Sequence, residues 1–154
     1  MNLADLRYLQ SPQGRALLAE LAAEPLTPDT HLGVAARLRQ RVEPEQAQAV
    51  LEMALLRQRA ARKFSRAAEM GFTRDGLEQA TTAPVAAHRA ARFAAAGVGT
   101  VADLGCGIGG DSLALAATGR AVLAIDRDLL RVAMAQANGE ACGVAERLLP
   151  VVAD

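Results

Sequence analysis

Val101-Ala-Asp-Leu-Gly-Cys-Gly-Ile-Gly-Gly-Asp111, running directly into the apolar stretch Ser112 to Ala117, sets the reading of everything around it. A short apolar strand that breaks into closely spaced glycines and then a helix offers backbone N–H groups and a helix N-terminus to a ligand. The local pattern is a cofactor cradle.

Working outward, the chain after Thr100 alternates strand and helix. The pattern predicts strands over 101–104, 121–125 and 148–153, and helices over 111–117 and 129–140. This βαβαβ order with short connections is the first half of a doubly wound, Rossmann-like parallel sheet. The other half of such a sheet is expected beyond Asp154, which would leave the first strand with one unpaired edge.

Upstream, the residues speak a helical grammar. Ser11-Pro12, Thr27-Pro28 and Glu43-Pro44 each place a capping-type side chain before a proline suited to the first helical position. Leu17, Leu18 and Leu21 supply one apolar face, and Leu32, Ala35, Leu38 and Val42 the next. The third helix is expected from Pro44 to about Ala68. At about 100° per residue, Val50, Met53, Ala60, Ala61, Phe64 and Ala68 share one side, and Arg59, Arg62, Lys63 and Arg66 the other. That basic side is either a solvated face or a phosphate-contacting stripe. Residues 69–82 read as a connector, and Thr82 is placed to cap a helix running to about Ala96 and stopped by Gly97. On that helix Ala86, Ala90 and Phe93 face inward, with His88, Arg89 and Arg92 on another side. The expected organisation is a helical region over 1–68, a connector and helix over 69–99, and the partial cofactor-binding domain over 100–154.

Composition narrows the classes. The chain has 154 residues, 51% of them hydrophobic and 22% charged, with 17 basic and 17 acidic side chains. This is the balance of a soluble globular protein, with no whole-molecule field to attract a polyanion. Cys106 and Cys142 lack CxxC spacing or a neighbouring histidine, which argues against a zinc site or disulfide framework and for a reduced, cytoplasmic protein. No apolar run approaches membrane-spanning length.

Gly105-x-Gly107-x-x-Gly110 satisfies the dinucleotide fingerprint, but the same letters spell Asp103-x-Gly105-x-Gly107-x-Gly109, in which a carboxylate precedes the first glycine. Beside the diphosphate of NAD that carboxylate repels, by about 1 kcal/mol in water and a few times more in a cleft. S-adenosylmethionine instead brings an ammonium and a sulfonium, and charge favours the methyl donor. Asp126, with Arg127 beside it, ends the second strand where a carboxylate can accept from ribose hydroxyls. Asp154, ending the third, is placed for the adenine amino group. Cys106 reads as a small loop residue near the ligand. Asp111 reads as a cap matched to the helix dipole or as a ligand contact.

Asp103-Leu-Gly-Cys-Gly-Ile-Gly-Gly-Asp111, Ala124-Ile-Asp-Arg-Asp128 and Ala135-Gln-Ala-Asn138 with Gly143 resemble the trimethylguanosine synthase type of class I methyltransferase. Phe72-Thr-Arg-Asp-Gly-Leu-Glu-Gln-Ala-Thr81 and Val85-Ala-Ala-His-Arg-Ala90 resemble more closely bacterial methyltransferases described as having a THUMP-like C-terminal domain. The similarity covers about residues 57 to 154. It implies S-adenosylmethionine-dependent methyl transfer to RNA, with Thr81, and Gln79 near it, at the methionine end of the cofactor. It also implies that the residues aligning the acceptor lie past Asp154, so that this chain alone is expected to be inactive. No catalytic residue is assigned. RNA contacts are expected from Arg59, Arg62, Lys63 and Arg66 and from His88, Arg89 and Arg92, and no metal is expected. Two alternatives stand beside this reading: a methyltransferase with a small-molecule or protein acceptor, and a non-catalytic helical interaction module with a vestigial cofactor loop.

Overall fold

The computed structural model describes residues 1–154, which divide into two compact units, Met1–Arg59 and Ala60–Asp154. No helix is long and apolar enough to cross a membrane.

The first unit contains α1 (Leu3–Gln10), α2 (Pro12–Ala22) and α3 (Pro28–Arg39), and α4 (Pro44–Ala60) closes it. Two of the three Pro-marked starts carry the side-chain caps that the sequence predicts. Ser11 Oγ accepts from the Gly14 N–H at 3.1 Å, and Thr27 and Thr30 exchange side-chain and backbone bonds in a capping box. At the third, the Glu43 N–H donates to Gln46 Oε1 at 3.3 Å. Helix α1 is an addition to the expected three. It is started by Asn2, whose side chain accepts from the N–H groups of Ala4 and Asp5 while the Asp5 carboxylate takes the Asn2 N–H at 2.7 Å.

Burial follows the expected face on α2, where Leu17, Leu18 and Leu21 are buried, but not on α3. There the buried pair is Val34 and Leu38, four residues apart, and Leu32 is 79% exposed, because it lies about 200° round the helix from Val34. Helix α4 buries Ala47, Ala49, Val50, Leu51, Met53, Ala54, Leu56 and Ala60, which occupy most of its circumference. It is a central helix and not a two-sided one.

Gly14 lets α1 and α2 turn sharply into each other. A Cβ there would lie 2.2 Å from the Tyr8 carbonyl oxygen and 2.8 Å from Leu9 Cα, both backbone atoms. Gly14→Ala is therefore expected to destabilise the first unit by about 2–3 kcal/mol, the cost of forced overpacking. An unchanged urea midpoint would show that the corner is free to open.

Helix α4 ends at Ala60, not near Ala68. The N–H groups of both Lys63 and Phe64 bond the Ala60 carbonyl, at 2.8 and 2.9 Å, and a run of turns follows. Phe64, Ala67, Met70 and Phe72 are buried, with the Phe64 and Phe72 rings 5.7 Å apart, while Ala61 and Ala68 are exposed. Tertiary burial at a spacing of two to three residues wins over helix propensity here. Arg59, Arg62, Lys63 and Arg66 consequently do not form one helical stripe.

The second unit continues with α5 (Arg74–Gln79), where the sequence reads only a connector, and α6 (Ala83–Ala95). Thr73 Oγ1 caps α5 through the Gly76 N–H at 3.0 Å, whereas Thr82 makes no side-chain cap on α6. Ala86 and Ala90 of α6 are buried, but Phe93 is 41% exposed. Then come β1 (Thr100–Leu104), α7 (Gly110–Ala117), β2 (Ala121–Asp126), α8 (Leu129–Cys142), a 3-10 turn at Ala145–Arg147 and β3 (Leu148–Val152). The fold is mixed α/β, with helices leading into a parallel three-stranded sheet in the order β1-β2-β3.

Val101, Val122, Ala124 and Leu148 of the strands pack with Ala90, Leu115, Ala116 and Ala135 of the flanking helices. The register sets Asp103 beside Ala124 and Leu104 beside Ile125, so the carboxyl ends of β1 and β2 emerge together. Asp128 caps α8 by accepting from the Leu130 N–H at 2.8 Å, and Gly143 ends that helix in the left-handed conformation. The Arg120 guanidinium donates to the carbonyls of Ala94, Val98 and Thr118, tying the end of α6 to the turn before β2.

Candidate functional site

The glycine-rich turn sits at the carboxyl end of β1. Gly105, Gly107 and Gly109 have φ of 75°, 57° and 90°, the left-handed region that side-chain-bearing residues avoid. Four of the turn's N–H groups are already bonded, to β2, to the turn itself and to Asp126, so that the bare N–H groups that the sequence predicts are fewer than expected. The N–H groups of Gly105 and Cys106 both donate to the Ile125 carbonyl at 2.8 Å, and Gly109 donates to the Cys106 carbonyl at 2.9 Å. The Gly107 N–H donates to Asp126 Oδ2 at 3.0 Å. From α8, Asn138 Nδ2 donates to the Ile108 carbonyl at 2.9 Å. The loop is thus held rigidly in place before any ligand arrives.

Beside it lies a cavity of about 100 Å³. One wall is Gly76, Gln79, Ala80 and Thr81, from α5 and the turn after it. The other is Asp103, Gly105, Cys106, Gly107, Ile108, Gly110 and Asp111, with Arg131 entering from α8.

Its electrostatics centre on two carboxylates. Asp103 Oδ2 accepts from the Ser112 hydroxyl at 2.5 Å. Burial nevertheless pushes the Asp103 carboxyl above the usual range; the Ser112 bond opposes that rise, and the neighbouring Asp111 charge adds to it. Asp111 Oδ2 accepts from Thr81 Oγ1 at 2.7 Å and from the Arg89 guanidinium at 2.8 Å. Its other oxygen, Oδ1, is buried with no partner at all. One oxygen of Asp111 thus lies buried and unpartnered beside a second acid, with Arg89 holding the other oxygen and Arg131 at the cavity's rim. Cys106 does not supply reactivity: burial and the charges of Asp103 and Asp126 push its thiol up to about 12, so it stays protonated at neutral pH. No group of three or more His, Cys, Asp or Glu side chains is placed to hold a metal ion.

Of the residues singled out from sequence, Asp103, Gly105, Cys106, Gly107, Thr81 and Gln79 line this one cavity. Gly109 lies behind it, packed so closely on α8 that a Cβ would sit 3.2 Å from Ala135 Cβ. Asp126 is 6% exposed and bonds the N–H groups of Gly107 and Asp128, each at 3.0 Å. Arg127 and Asp154 are exposed and outside the cavity lining.

Asp111 lies in the first turn of α7, matched to the helix dipole, while Gly109 occupies the N-cap. Of the basic residues, Lys63 donates to the carbonyls of Leu77, Glu78 and Ala80. Arg66 pairs with Glu69 at 2.6 Å, and Arg89 is held on Asp111. Arg62, His88 and Arg92 are exposed. Ser112 and Arg131 escaped the sequence reading. Ser112 is fully buried nine residues after Asp103, and only the turn of the loop brings its hydroxyl back to the strand end.

Comparison with known proteins adds three findings. Residues 98–154 match the family model described as RNA cap guanine-N2 methyltransferase, and residues 2–60 match one described only as a domain of unknown function. Two proteins from different strains of Mycobacterium tuberculosis are each 38% identical to this chain over 117 residues, covering 68% of it. Each bears the description uncharacterized S-adenosylmethionine-dependent methyltransferase. The chain spans about a third of these relatives, 32% of their length, so the similarity joins this chain to one part of a longer protein.

Proposed function

We propose that the second unit binds S-adenosylmethionine and serves methyl transfer to RNA. The observation that carries this reading is the pairing of Asp103 with the partnerless Asp111 Oδ1 in a single cavity. A carboxylate at the strand end beside a carboxylate oxygen without a partner suits a ligand carrying an ammonium and a sulfonium, and repels one carrying a diphosphate. The similarity of residues 98–154 to RNA cap guanine-N2 methyltransferases supports the acceptor class. The stretch Gly76 to Thr81 supports the narrower assignment to the bacterial THUMP-like group, and cytoplasmic RNA is the substrate pool that this reading implies.

When bound, the cofactor supplies a methyl group on a positively charged sulfur, open to displacement by a nucleophile in line with the bond. The chain's own residues bind and orient. Asp103 would attract the ammonium, and Thr81 and Gln79 would border the methionine end. Asp126, already fixed by two backbone N–H groups, keeps lone pairs for ribose hydroxyls. The loop of Gly105, Cys106 and Gly107 would lie under the ligand, with Gly109 holding that loop against α8. Arg127 and Asp154 would flank the adenosine end. Of the basic residues singled out from sequence, Arg62 and Arg92, with His88, are the ones left for RNA phosphates.

Incubation of a protein that carries this unit and spans the full length of its relatives with S-adenosylmethionine bearing a tritiated methyl group, and with total RNA or protein extract, tests this. Label is expected in RNA. Label confined to protein would reassign the acceptor, and no label in either would overturn the catalytic reading.

A further inference from the structure

Gln79, Ala80 and Thr81 form one wall of the cavity at the carboxyl end of α5, where the last helical bond, from the Ala80 N–H to the Gly76 carbonyl at 3.0 Å, gives way to the turn before α6. Beyond that bond, Lys63 fastens the wall. Its ammonium donates to the carbonyls of Leu77 at 2.7 Å, Glu78 at 3.2 Å and Ala80 at 3.3 Å. Its own carbonyl accepts from the N–H of Ala83, the first residue of α6, at 3.3 Å. The turn is therefore wrapped around one lysine, gripped by the side chain before Thr81 and by the backbone after it. A cation at these carbonyls also meets the negative end of α5. From the far side, Thr81 Oγ1 donates to Asp111, itself tied to Arg89, so the wall is fastened both to Lys63 and to the loop it faces.

We infer that Lys63 is a positioning residue of the cofactor cavity, setting the distance between the Gln79–Thr81 wall and the Asp103 and Asp111 carboxylates, and is not an RNA contact. The inference rests on the cofactor reading above in what it says of affinity, but not in what it says of the wall. Neutralising the ammonium leaves three carbonyls without their shared donor, and the turn loosens while the sheet, which Lys63 does not touch, stays intact.

The test compares Lys63→Met and Lys63→Arg with the unaltered chain in two measurements. In hydrogen exchange without ligand, Lys63→Met is expected to speed exchange across residues 79–83 and leave β1, β2 and β3 unchanged, with Lys63→Arg restoring most of the protection. In calorimetry, Lys63→Met is expected to weaken S-adenosylmethionine about tenfold. It should leave 5′-methylthioadenosine, which lacks the amino-acid end bordered by Thr81, within about twofold. Unaltered exchange at 79–83 would overturn the proposal. So would faster exchange throughout the sheet with equal loss of both ligands, which is the signature of general destabilisation. If the unaltered chain binds neither ligand, the cofactor reading falls, and the local exchange alone decides whether Lys63 holds the wall.

Discussion

Asp103→Asn is expected to weaken S-adenosylmethionine binding roughly 10- to 100-fold without weakening the ligand-free fold. A charge-assisted hydrogen bond between a carboxylate and an ammonium contributes about 1.5–3 kcal/mol, and asparagine keeps the shape while removing the charge. The ligand-free protein responds in the opposite sense. Burial holds the Asp103 carboxyl above its ordinary value, so the folded state binds the proton more tightly than the unfolded chain does. Stability from this group therefore falls as pH rises from the ordinary carboxylate value through the raised one, and the penalty is complete above it. Asparagine removes that penalty, and the Ser112 hydroxyl still finds an acceptor in Oδ1. Melting temperature should hold or rise while affinity drops. Acidification of the unaltered protein through the same window should likewise release the ligand. Calorimetry and thermal melts on both forms check this, and a variant that lost stability and affinity together would show that the acid serves the fold.

Asn138→Leu should have the largest effect on stability in the second unit, about 3 kcal/mol or more. Asn138 is fully buried, accepts from the Gly71 N–H at 2.6 Å, and donates to the carbonyls of Gly71 at 3.0 Å and Ile108 at 2.9 Å. One amide thus satisfies three backbone groups, joining the segment before α5 and the glycine loop to α8. An apolar side chain of similar size strands all three, and each buried orphan costs about 1–3 kcal/mol. Because the Ile108 carbonyl belongs to the loop, the variant should also lose S-adenosylmethionine affinity. Urea unfolding followed on the second unit is the measurement; a change under about 0.5 kcal/mol would mean that water replaces the amide without cost.

These two residues mark where the sequence was readable and where it was not. The β1-to-β3 succession was legible to within a residue or two, because its signals are local: apolar strands, the glycine turn, Asp128 before α8 and Gly143 after it. The carboxylate of Asp103 could be placed at a strand end for the same reason. Asn138 could not be understood, since its partner Gly71 lies 67 residues away in the chain. Asp111 stood where a cap belongs, but the left-handed Gly109 begins the helix instead, which frees Asp111 to meet Thr81 and Arg89. Lys63 and its neighbours had the spacing of a basic helical face. The helix stops at Ala60, and the ammonium turns inward to the carbonyls of α5 and the turn after it. Periodicity sees neither event: the first turns on the left-handed Gly109, and the second on carbonyl partners distant in sequence.

Titrating this chain with S-adenosylmethionine and, separately, with NAD at the same ionic strength tests most directly whether the acids beside the glycine loop choose the ligand. Binding of S-adenosylmethionine at least about tenfold tighter than NAD is the predicted result. Equal or tighter binding of NAD would contradict it.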